Sequence, residues 1–209
     1  MDRFAGERHR MVQVQIEGRV LNDRRLLEAF EEVPRHLFVP EESCYAAYED
    51  HPLPIGFGQT ISQPYTVALM TSLLELKGDE RVLEVGTGSG YQAAILGLLA
   101  GEVHTIEFIP ELAAHAEEIL LELGYEKVKV HLGDGSLGWP ESAPFPAIIV
   151  TAAAPGVPRP LMEQLAENGR LVIPVSQSWR GQLLKVITRE DQKFVEKVIT
   201  SVAFVPLRG

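Results

Sequence analysis

The chain has 209 residues, of which 45% are apolar and 23% charged, a composition typical of one globular domain with its own core. Its formal charge is −10, from 29 acidic and 19 basic residues, which disfavours a broad nucleic-acid-binding surface because phosphate neutralisation needs clustered Lys and Arg. No apolar run approaches the roughly 20 residues of a membrane span.

The cysteine and histidine content bears on compartment and on metals. Cys44 is the single cysteine, which excludes an internal disulfide and predicts a reducing cytoplasm. We interpret it as a packing residue rather than a nucleophile. Residues 1–10 are rich in charge and lack the apolar core of a secretory signal. The six histidines show no paired-ligand spacing, so no metal site is predicted.

The chain is predicted to begin with two short helices, over about 4–17 and 23–33. Asp23 is a suitable N-cap for the second helix, and the proline after it ends that helix. Residues 34–40 are bounded by prolines and are predicted to be extended. A short helical turn is expected over about 41–47.

Residues 51–64 combine three prolines and two glycines with apolar side chains, which excludes a regular helix. We predict an irregular binding loop that carries Ile55, Phe57 and Ile61 inward. Ser62 at its end has two interpretations. It is a good N-cap for the helix that follows, or it places a hydroxyl beside free helix N–H groups, where a carboxylate could bind.

The glycine-rich stretch in the middle of the chain predicts a nucleotide site. An apolar run over 82–85 is followed by Gly86, Gly88 and Gly90, and then by a helix over about 92–100. Strand, turn and helix form the first half of a nucleotide-binding βαβ unit. The third glycine comes one residue too early for a dinucleotide fingerprint, and no P-loop lysine follows.

Two carboxylates flank this turn. Glu84 precedes it, and Glu107 ends the next apolar run, about twenty residues after the first glycine. A carboxylate at the second position can accept hydrogen bonds from both ribose hydroxyls of a bound nucleoside. The turn with its two acids resembles the S-adenosylmethionine site of Rossmann-like methyltransferases.

The remaining elements alternate between helix and strand. We predict a helix over 110–124, strands over 128–132, 147–153 and 169–175, a helix over 158–165, and a closing hairpin of 182–188 and 194–205. This order predicts a Rossmann-like three-layer α/β/α sandwich whose mostly parallel sheet is closed by a C-terminal antiparallel hairpin. Asp134, between two glycines just past a strand, would accept a hydrogen bond from an adenine amino group or simply form the turn.

The loop after the fourth predicted strand, Thr151-Ala-Ala-Ala-Pro155, bears on the acceptor. Nucleic-acid amino-methyltransferases place an Asp or Asn with prolines and an aromatic residue there to hold the target amine. This loop has no such polar group, so an acceptor that needs no activation is expected. A carboxylate with a pKa of about 4 is already ionised at neutral pH.

Eight segments of the chain carry a resemblance to a known family. The most specific is Gly-Gln-Thr-Ile-Ser-Gln-Pro at 58–64, and the others are 33–40, 47–50, 82–91, 133–135, 151–155, 169–175 and 204–207. Together they resemble the protein-L-isoaspartate O-methyltransferases over nearly the whole chain. The resemblance implies transfer of a methyl group from S-adenosylmethionine to the α-carboxylate of L-isoaspartyl residues in damaged proteins, which initiates their repair.

The resemblance also implies site residues. Ser62 would be the active-site hydroxyl. The implied cofactor contacts are Thr60, Gln63, Glu84, Gly86, Gly88, Gly90, Glu107, Asp134 and Gly135. The implied peptide groove consists of Pro54, Ile55, Ser62 and Val205.

Three residues depart from the family pattern. Pro146 stands where the family usually has Asp, and proline is tolerated at the first residue of a strand. Asn168 replaces a glycine and is the next best residue for a left-handed backbone. Val20 replaces a glycine between the N-terminal helices, which leaves the geometry there open.

We expect one methyltransferase domain over 1–209, with N-terminal helices and acceptor loop over 1–78, a cofactor core over 79–176 and a hairpin over 177–209. A cytoplasmic monomer is predicted that acts on isoaspartyl proteins and peptides, without a nucleic-acid or membrane partner. Two alternatives stay open: a methyltransferase for a small carboxylic acid, and a nucleoside-binding regulatory module that has lost transfer.

Overall fold

The computed structural model describes residues 3–19, 21–177 and 181–209. The N-terminal helical segments are α1 (Ala5–Met11), a π-helical turn (Val12–Ile16), a 3₁₀ turn (Glu17–Arg19) and α2 (Arg24–Glu32). The first predicted helix is therefore divided into three segments. The predicted cap of the second is confirmed, because the Asp23 carboxylate accepts hydrogen bonds from the N–H groups of Arg25 and Leu26.

The prediction that residues 34–40 are extended is wrong. Arg35–Phe38 forms a 3₁₀ turn, with the Leu37 N–H donating to the Pro34 carbonyl at 2.9 Å. The turn carries Arg35 into the interior, where its guanidinium reaches backbone carbonyls that an extended chain would leave unpaired. A second 3₁₀ turn over Glu41–Ala46 matches the predicted helical turn.

The predicted irregular loop is in fact a β-hairpin. Strands β1 (Leu53–Gly56) and β2 (Gln59–Ile61) pair antiparallel around a turn whose three residues all have positive φ, with Phe57 at 53° between two glycines. That turn directs Phe57 into solvent, with 52% of it exposed, so its predicted inward orientation is wrong. Ile61 is buried and Ile55 is half-buried, as expected.

Ser62 is not the N-cap of the helix after the hairpin. Helix α3 spans Pro64–Leu73, and its N-cap residue is Gln63. Pro64 occupies the first helical turn, where its missing N–H costs nothing. The Ser62 hydroxyl is therefore not needed to cap the helix.

The main sheet has seven strands in the order β5-β4-β3-β6-β7-β8-β9. Its strands are β3 (Arg81–Val85), β4 (Glu102–Glu107), β5 (Val128–Leu132), β6 (Phe145–Val150), β7 (Leu165–Gln177), β8 (Gly181–Glu190) and β9 (Lys193–Val202). The first five pair in parallel, and β8 and β9 add antiparallel. The predicted mostly parallel sheet with a closing hairpin is confirmed.

Helices cover both faces of the sheet, which confirms the three-layer sandwich. They are α3, α4 (Tyr91–Leu99), α5 (Pro110–Glu122) and α6 (Arg159–Glu163). Side chains of β3 alternate between the faces: Val82 packs with α3 and α4, and Leu83 packs with α6. Two 3₁₀ turns, Gly135–Leu137 and Pro140–Ser142, lie between β5 and β6. In the part of the chain that is described, no helix is long and apolar enough to cross a membrane.

The departures from the family pattern fit the fold where it is described. Pro146 lies at a register shift between β6 and β7, where a missing N–H breaks no ladder hydrogen bond. Asn168 adopts φ of 60°, the left-handed conformation expected for a residue that replaces glycine. Val20 lies outside the described residues.

Candidate active site

A cavity opens where β3, β4 and β6 end, at the carboxyl edge of the parallel sheet. Together with its solvent-open mouth it spans about 840 Å³. The hairpin strand β2 and the segment Phe204–Arg208 form its other walls. Seven of the predicted site residues line it: Thr60, Ser62, Gly86, Gly88, Glu107, Gly135 and Val205.

The glycine turn forms the floor of the cavity. Gly86, Gly88 and Gly90 have φ of 99°, 54° and 87°, conformations that residues with a Cβ rarely adopt. A Cβ on Gly86 would lie 2.5 Å from the Thr151 hydroxyl oxygen, so this position also requires the absence of a side chain. Gly90 does not line the cavity; it lies in contact range of Leu120 on α5 and begins α4.

Glu107 is held in one orientation by backbone N–H groups. Its Oε2 accepts from Gly88 N–H at 2.8 Å, and its Oε1 accepts from Phe108 and Ile109 N–H at 3.0 Å each. The side chain is buried yet lines the cavity. Three of the roughly four lone-pair directions of the carboxylate are thus used, so Oε2 retains the capacity to accept one further hydrogen bond from a ligand hydroxyl.

Thr151 supplies the polar group of the loop after β6. Its hydroxyl donates to the Gly86 carbonyl at 2.6 Å, with the Val85 carbonyl at 3.1 Å. The only polar side chain among residues 151–155 is thus used to hold the glycine turn. It does not provide a free acceptor for a target amine.

Glu84 lies behind the turn rather than in the cavity. It is fully buried, and neither carboxyl oxygen has a hydrogen-bond partner among the described residues. Burial raises the pKa of Glu84 to about 8; the neighbouring Thr105 hydroxyl opposes this shift and the charge of Glu107 adds to it. The Thr105 hydroxyl also lies 2.6 Å from that of Thr87. Glu84 is protonated at neutral pH.

The adenine end of the predicted site is only partly assembled. Gly135 lines the cavity and packs against Val85 too closely to admit a side chain. The Asp134 carboxylate accepts the Ser136 N–H at 2.8 Å and lies beside Gly209, away from the cavity wall. This hydrogen bond fits the turn-forming interpretation, and the contact with the adenine amino group stays a prediction.

Ser62 and its neighbours form the opposite wall. The Ser62 hydroxyl has no hydrogen-bond partner among the described residues, although it lines the cavity. Gln63 instead accepts from the Thr66 hydroxyl at 3.1 Å, in the first turn of α3, and does not line the cavity. Pro54 is exposed on β1, and Ile55 comes within 3.4 Å of the position that a Cβ on Gly88 would occupy.

Arg35, which the sequence did not single out, positions this wall from behind. Its guanidinium is fully buried and donates to the Ala47 carbonyl at 2.7 Å and to the Ser62 carbonyl at 2.8 Å. It also lies 4.8 Å from the ring centre of Tyr91, the first residue of α4. Burial lowers the pKa of Arg35 to about 10, so the group remains charged at neutral pH. Arg35 thus links the Ser62 backbone to Tyr91, the residue that follows the glycine turn.

Among the cavity residues that the sequence did not single out, Phe108 and Arg208 bear most on ligand binding. Phe108 follows Glu107 and lines the cavity with half of its surface exposed. Arg208 follows the family-like segment 204–207 and lines the mouth. Arg208 and Glu107 are the charged side chains of the described cavity wall, which contains no His, Lys or Asp. No group of three or more His, Cys, Asp or Glu among the described residues could hold a metal.

Comparison with known proteins assigns this architecture to a family. The family model for protein-L-isoaspartate(D-aspartate) O-methyltransferase matches residues 6–209. The chain belongs to that family. It is 55% identical to the protein-L-isoaspartate O-methyltransferase of Geobacter metallireducens over 97% of this chain and 94% of that one. It is 54% identical to the enzyme of Trichlorobacter lovleyi over 100% and 96% of the two chains.

Solved structures agree on the fold. A protein-L-isoaspartate O-methyltransferase superposes with a TM-score of 0.87 at 28% identity, over 97% of this chain and 66% of that longer one. A Plasmodium falciparum protein titled a putative member of the family, in complex with S-adenosyl-L-homocysteine, gives a TM-score of 0.85 over 96% and 98% of the chains. The predicted family, fold and S-adenosylmethionine-dependent methyltransferase activity are confirmed.

Proposed function

We propose that this chain transfers a methyl group from S-adenosylmethionine to the α-carboxylate of L-isoaspartyl residues in damaged proteins and peptides. Methyl esterification at this position initiates repair, and S-adenosyl-L-homocysteine is the second product. One observation supports the acceptor class most directly. The described cavity wall offers no free general base, because its single carboxylate, Glu107, is held by three backbone N–H groups.

The residues present fit the cofactor. The glycine turn exposes backbone rather than side chains, and Glu107 offers oriented acceptors for ribose hydroxyls. Phe108 adds an exposed aromatic surface beside them, suited to stacking against a base. S-adenosylmethionine supplies the methyl group on a sulfonium that is its own leaving group. We assign Glu84 a supporting role, because it is neutral and buried behind the turn.

The acceptor half of the cavity orients the acceptor carboxylate and does not need to activate it. A carboxylate acceptor is ionised at neutral pH, so no residue has to remove a proton from it. Among the described residues the Ser62 hydroxyl has no partner, and it would donate a hydrogen bond to this carboxylate. Arg35 fixes the Ser62 backbone. Positioning of two bound reactants is worth up to roughly 7–11 kcal/mol in favourable cases. Pro54, Ile55 and Val205 would contact the flanking peptide, and Thr60 would lie where the cofactor and the peptide meet.

The finer assignments belong to the same proposal. The single cysteine, half-buried with its thiol against the His36 carbonyl, supports action in a reducing cytoplasm. The isoaspartyl protein is proposed as the partner and the monomer as the working unit. We also propose that residues 1–209 act as one methyltransferase domain.

The reaction is tested with a matched pair of peptides. An isoaspartyl peptide and its normal aspartyl twin are incubated with methyl-labelled S-adenosylmethionine. We expect label in the isoaspartyl peptide alone, as an ester released as methanol by mild alkali. Equal labelling of the twins, alkali-stable label or no transfer would overturn the proposal. Labelling of small carboxylic acids in preference to the peptide would favour that alternative.

A further inference from the structure

Arg208 lines the cavity, and its side chain is exposed to solvent. Its Nη2 atom lies 3.5 Å from the Phe57 carbonyl at the tip of the β1–β2 hairpin. The same atom is 3.8 Å from the position that a Cβ on Gly58 would occupy. Arg208 thus lies where the hairpin and the C-terminal segment meet.

The backbone that carries Arg208 is fixed. The Leu207 N–H donates to the Ala153 carbonyl at 2.9 Å, and the Ala153 N–H donates to the Val205 carbonyl at 2.8 Å. These bonds attach the segment to the loop that follows β6 in the sheet. The side chain beyond them is exposed, so a fixed anchor presents a free guanidinium.

The guanidinium is not satisfied by the protein. Within the described ranges Arg208 forms no ion pair, although acidic residues outnumber basic ones by 29 to 19. Arg159 and Arg170, by comparison, pair with Glu163 and Glu75 at 2.6 Å. A single contact of 3.5 Å is long for a hydrogen bond and leaves the fork of donors available. That fork matches the two oxygens of a carboxylate.

The charge of the whole chain makes such a residue necessary for an anionic acceptor. A formal charge of −10 repels an approaching carboxylate, and Glu107 inside the cavity adds to that repulsion. Arg208 is the positive side chain of the described cavity wall. We propose that Arg208 binds a carboxylate of the acceptor peptide and so makes the enzyme select anionic acceptors, an inference that rests on the proposed function.

The test compares Arg208→Ala and Arg208→Lys with a control, Arg159→Ala. Arg159 is exposed and does not line the cavity, so its replacement gives the same change in net charge without touching the wall. For an isoaspartyl peptide we expect Arg208→Ala to raise KM about tenfold, the loss typical of a hydrogen bond to a charged group, with kcat nearly unchanged. Arg208→Lys should recover part of the loss. The salt dependence of kcat/KM should flatten in Arg208→Ala alone.

Two peptides identify the carboxylate. In one, every carboxyl group except the reacting one is replaced by an amide; the other keeps an acidic residue beside the isoaspartyl position. An equal KM increase with both assigns Arg208 to the reacting carboxylate, and an increase with the acidic peptide alone assigns it to the flanking one.

Different results would refute the role of Arg208 and the methyl transfer itself. It is overturned if Arg208→Ala behaves like Arg159→Ala with both peptides. It is also overturned if Arg208→Ala weakens S-adenosyl-L-homocysteine binding tenfold in calorimetry, because the guanidinium would then serve the cofactor. Absence of turnover by the wild-type enzyme would instead refute the proposed function, and this inference with it.

Discussion

The two halves of the cavity are built in different ways. The cofactor half comes from a short continuous stretch, the glycine turn after β3, closed by Glu107 at the end of the adjacent strand β4. The acceptor half combines Arg35, the hairpin with Ser62, and the segment with Arg208, which are far apart in sequence. Local backbone geometry therefore determines the first half, and long-range side-chain contacts determine the second.

This difference predicts which property each half controls when its residues are substituted. Changes in the cofactor half should alter ligand affinity without moving the acceptor wall, because its groups are held by local backbone bonds. Changes in the acceptor half should alter turnover, and where they reach the buried Arg35 they should alter stability as well. The following substitutions test this separation.

The largest effect is expected from Arg35→Met. It leaves the Ala47 and Ser62 carbonyls without their donor, at a cost of about 1–3 kcal/mol for each buried group. Arg35→Lys keeps the charge but not the fork, so we expect an intermediate loss of stability and a fall in kcat. Denaturant unfolding and steady-state kinetics measure both.

Arg25→Lys is the matched control, because Arg25 also donates to two carbonyls, those of Leu76 and Leu99, on another part of the surface. It should change stability without changing kcat. If Arg35→Lys behaves in the same way, Arg35 only stabilises the fold and does not position Ser62.

Glu107→Ala should weaken cofactor binding by about 10- to 100-fold, the usual cost of losing hydrogen bonds to a charged group. Glu111→Ala removes an exposed carboxylate from the first turn of α5 and is the control for net charge. Calorimetric titration with S-adenosyl-L-homocysteine gives the comparison. An unchanged dissociation constant for Glu107→Ala would remove this residue from the site.

Ser62→Ala should lower single-turnover rate about tenfold while stability stays within about 0.5 kcal/mol, because Gln63 rather than Ser62 occupies the N-cap. Asp23→Ala removes a genuine side-chain cap and should show the converse, about 1 kcal/mol of lost stability with normal kinetics. A Ser62→Ala enzyme with normal turnover would contradict the catalytic assignment.

Glu84→Gln has the smallest expected effect on activity at neutral pH, since Glu84 is then neutral. Its folded pKa of about 8 lies above its unfolded value, so the folded state retains a proton that the unfolded state has lost. Stability is therefore full below the unfolded pKa of about 4.5 and falls as pH rises towards 8. Glu84→Gln should abolish this decline. Parallel pH–stability curves for both proteins would show that Glu84 does not titrate there.

The contrast between a locally built cofactor half and an acceptor half built from distant segments also explains which features the sequence could predict. The glycine turn and Glu107 follow from one βαβ unit, in which strand register fixes their separation. The β1–β2 hairpin was not predicted, because prolines and a turn with positive φ are not typical of a strand pair in sequence. The prediction for Phe57 failed with it, because Phe57 lies at the exposed tip of this hairpin. Arg35 gave no signal, because arginine is rarely fully buried and its acceptors lie 12 and 27 residues away.

An ionised carboxylate acceptor needs no base for methyl transfer. The most direct measurement is the single-turnover rate of methyl transfer with saturating isoaspartyl peptide and cofactor, as a function of pH. We predict a nearly flat profile from about pH 6 to 8, because the acceptor is ionised throughout. Glu84→Gln, measured in parallel, removes the buried carboxyl that titrates near the upper end. A rate that rises with pH in both proteins would show that the acceptor has to lose a proton before transfer.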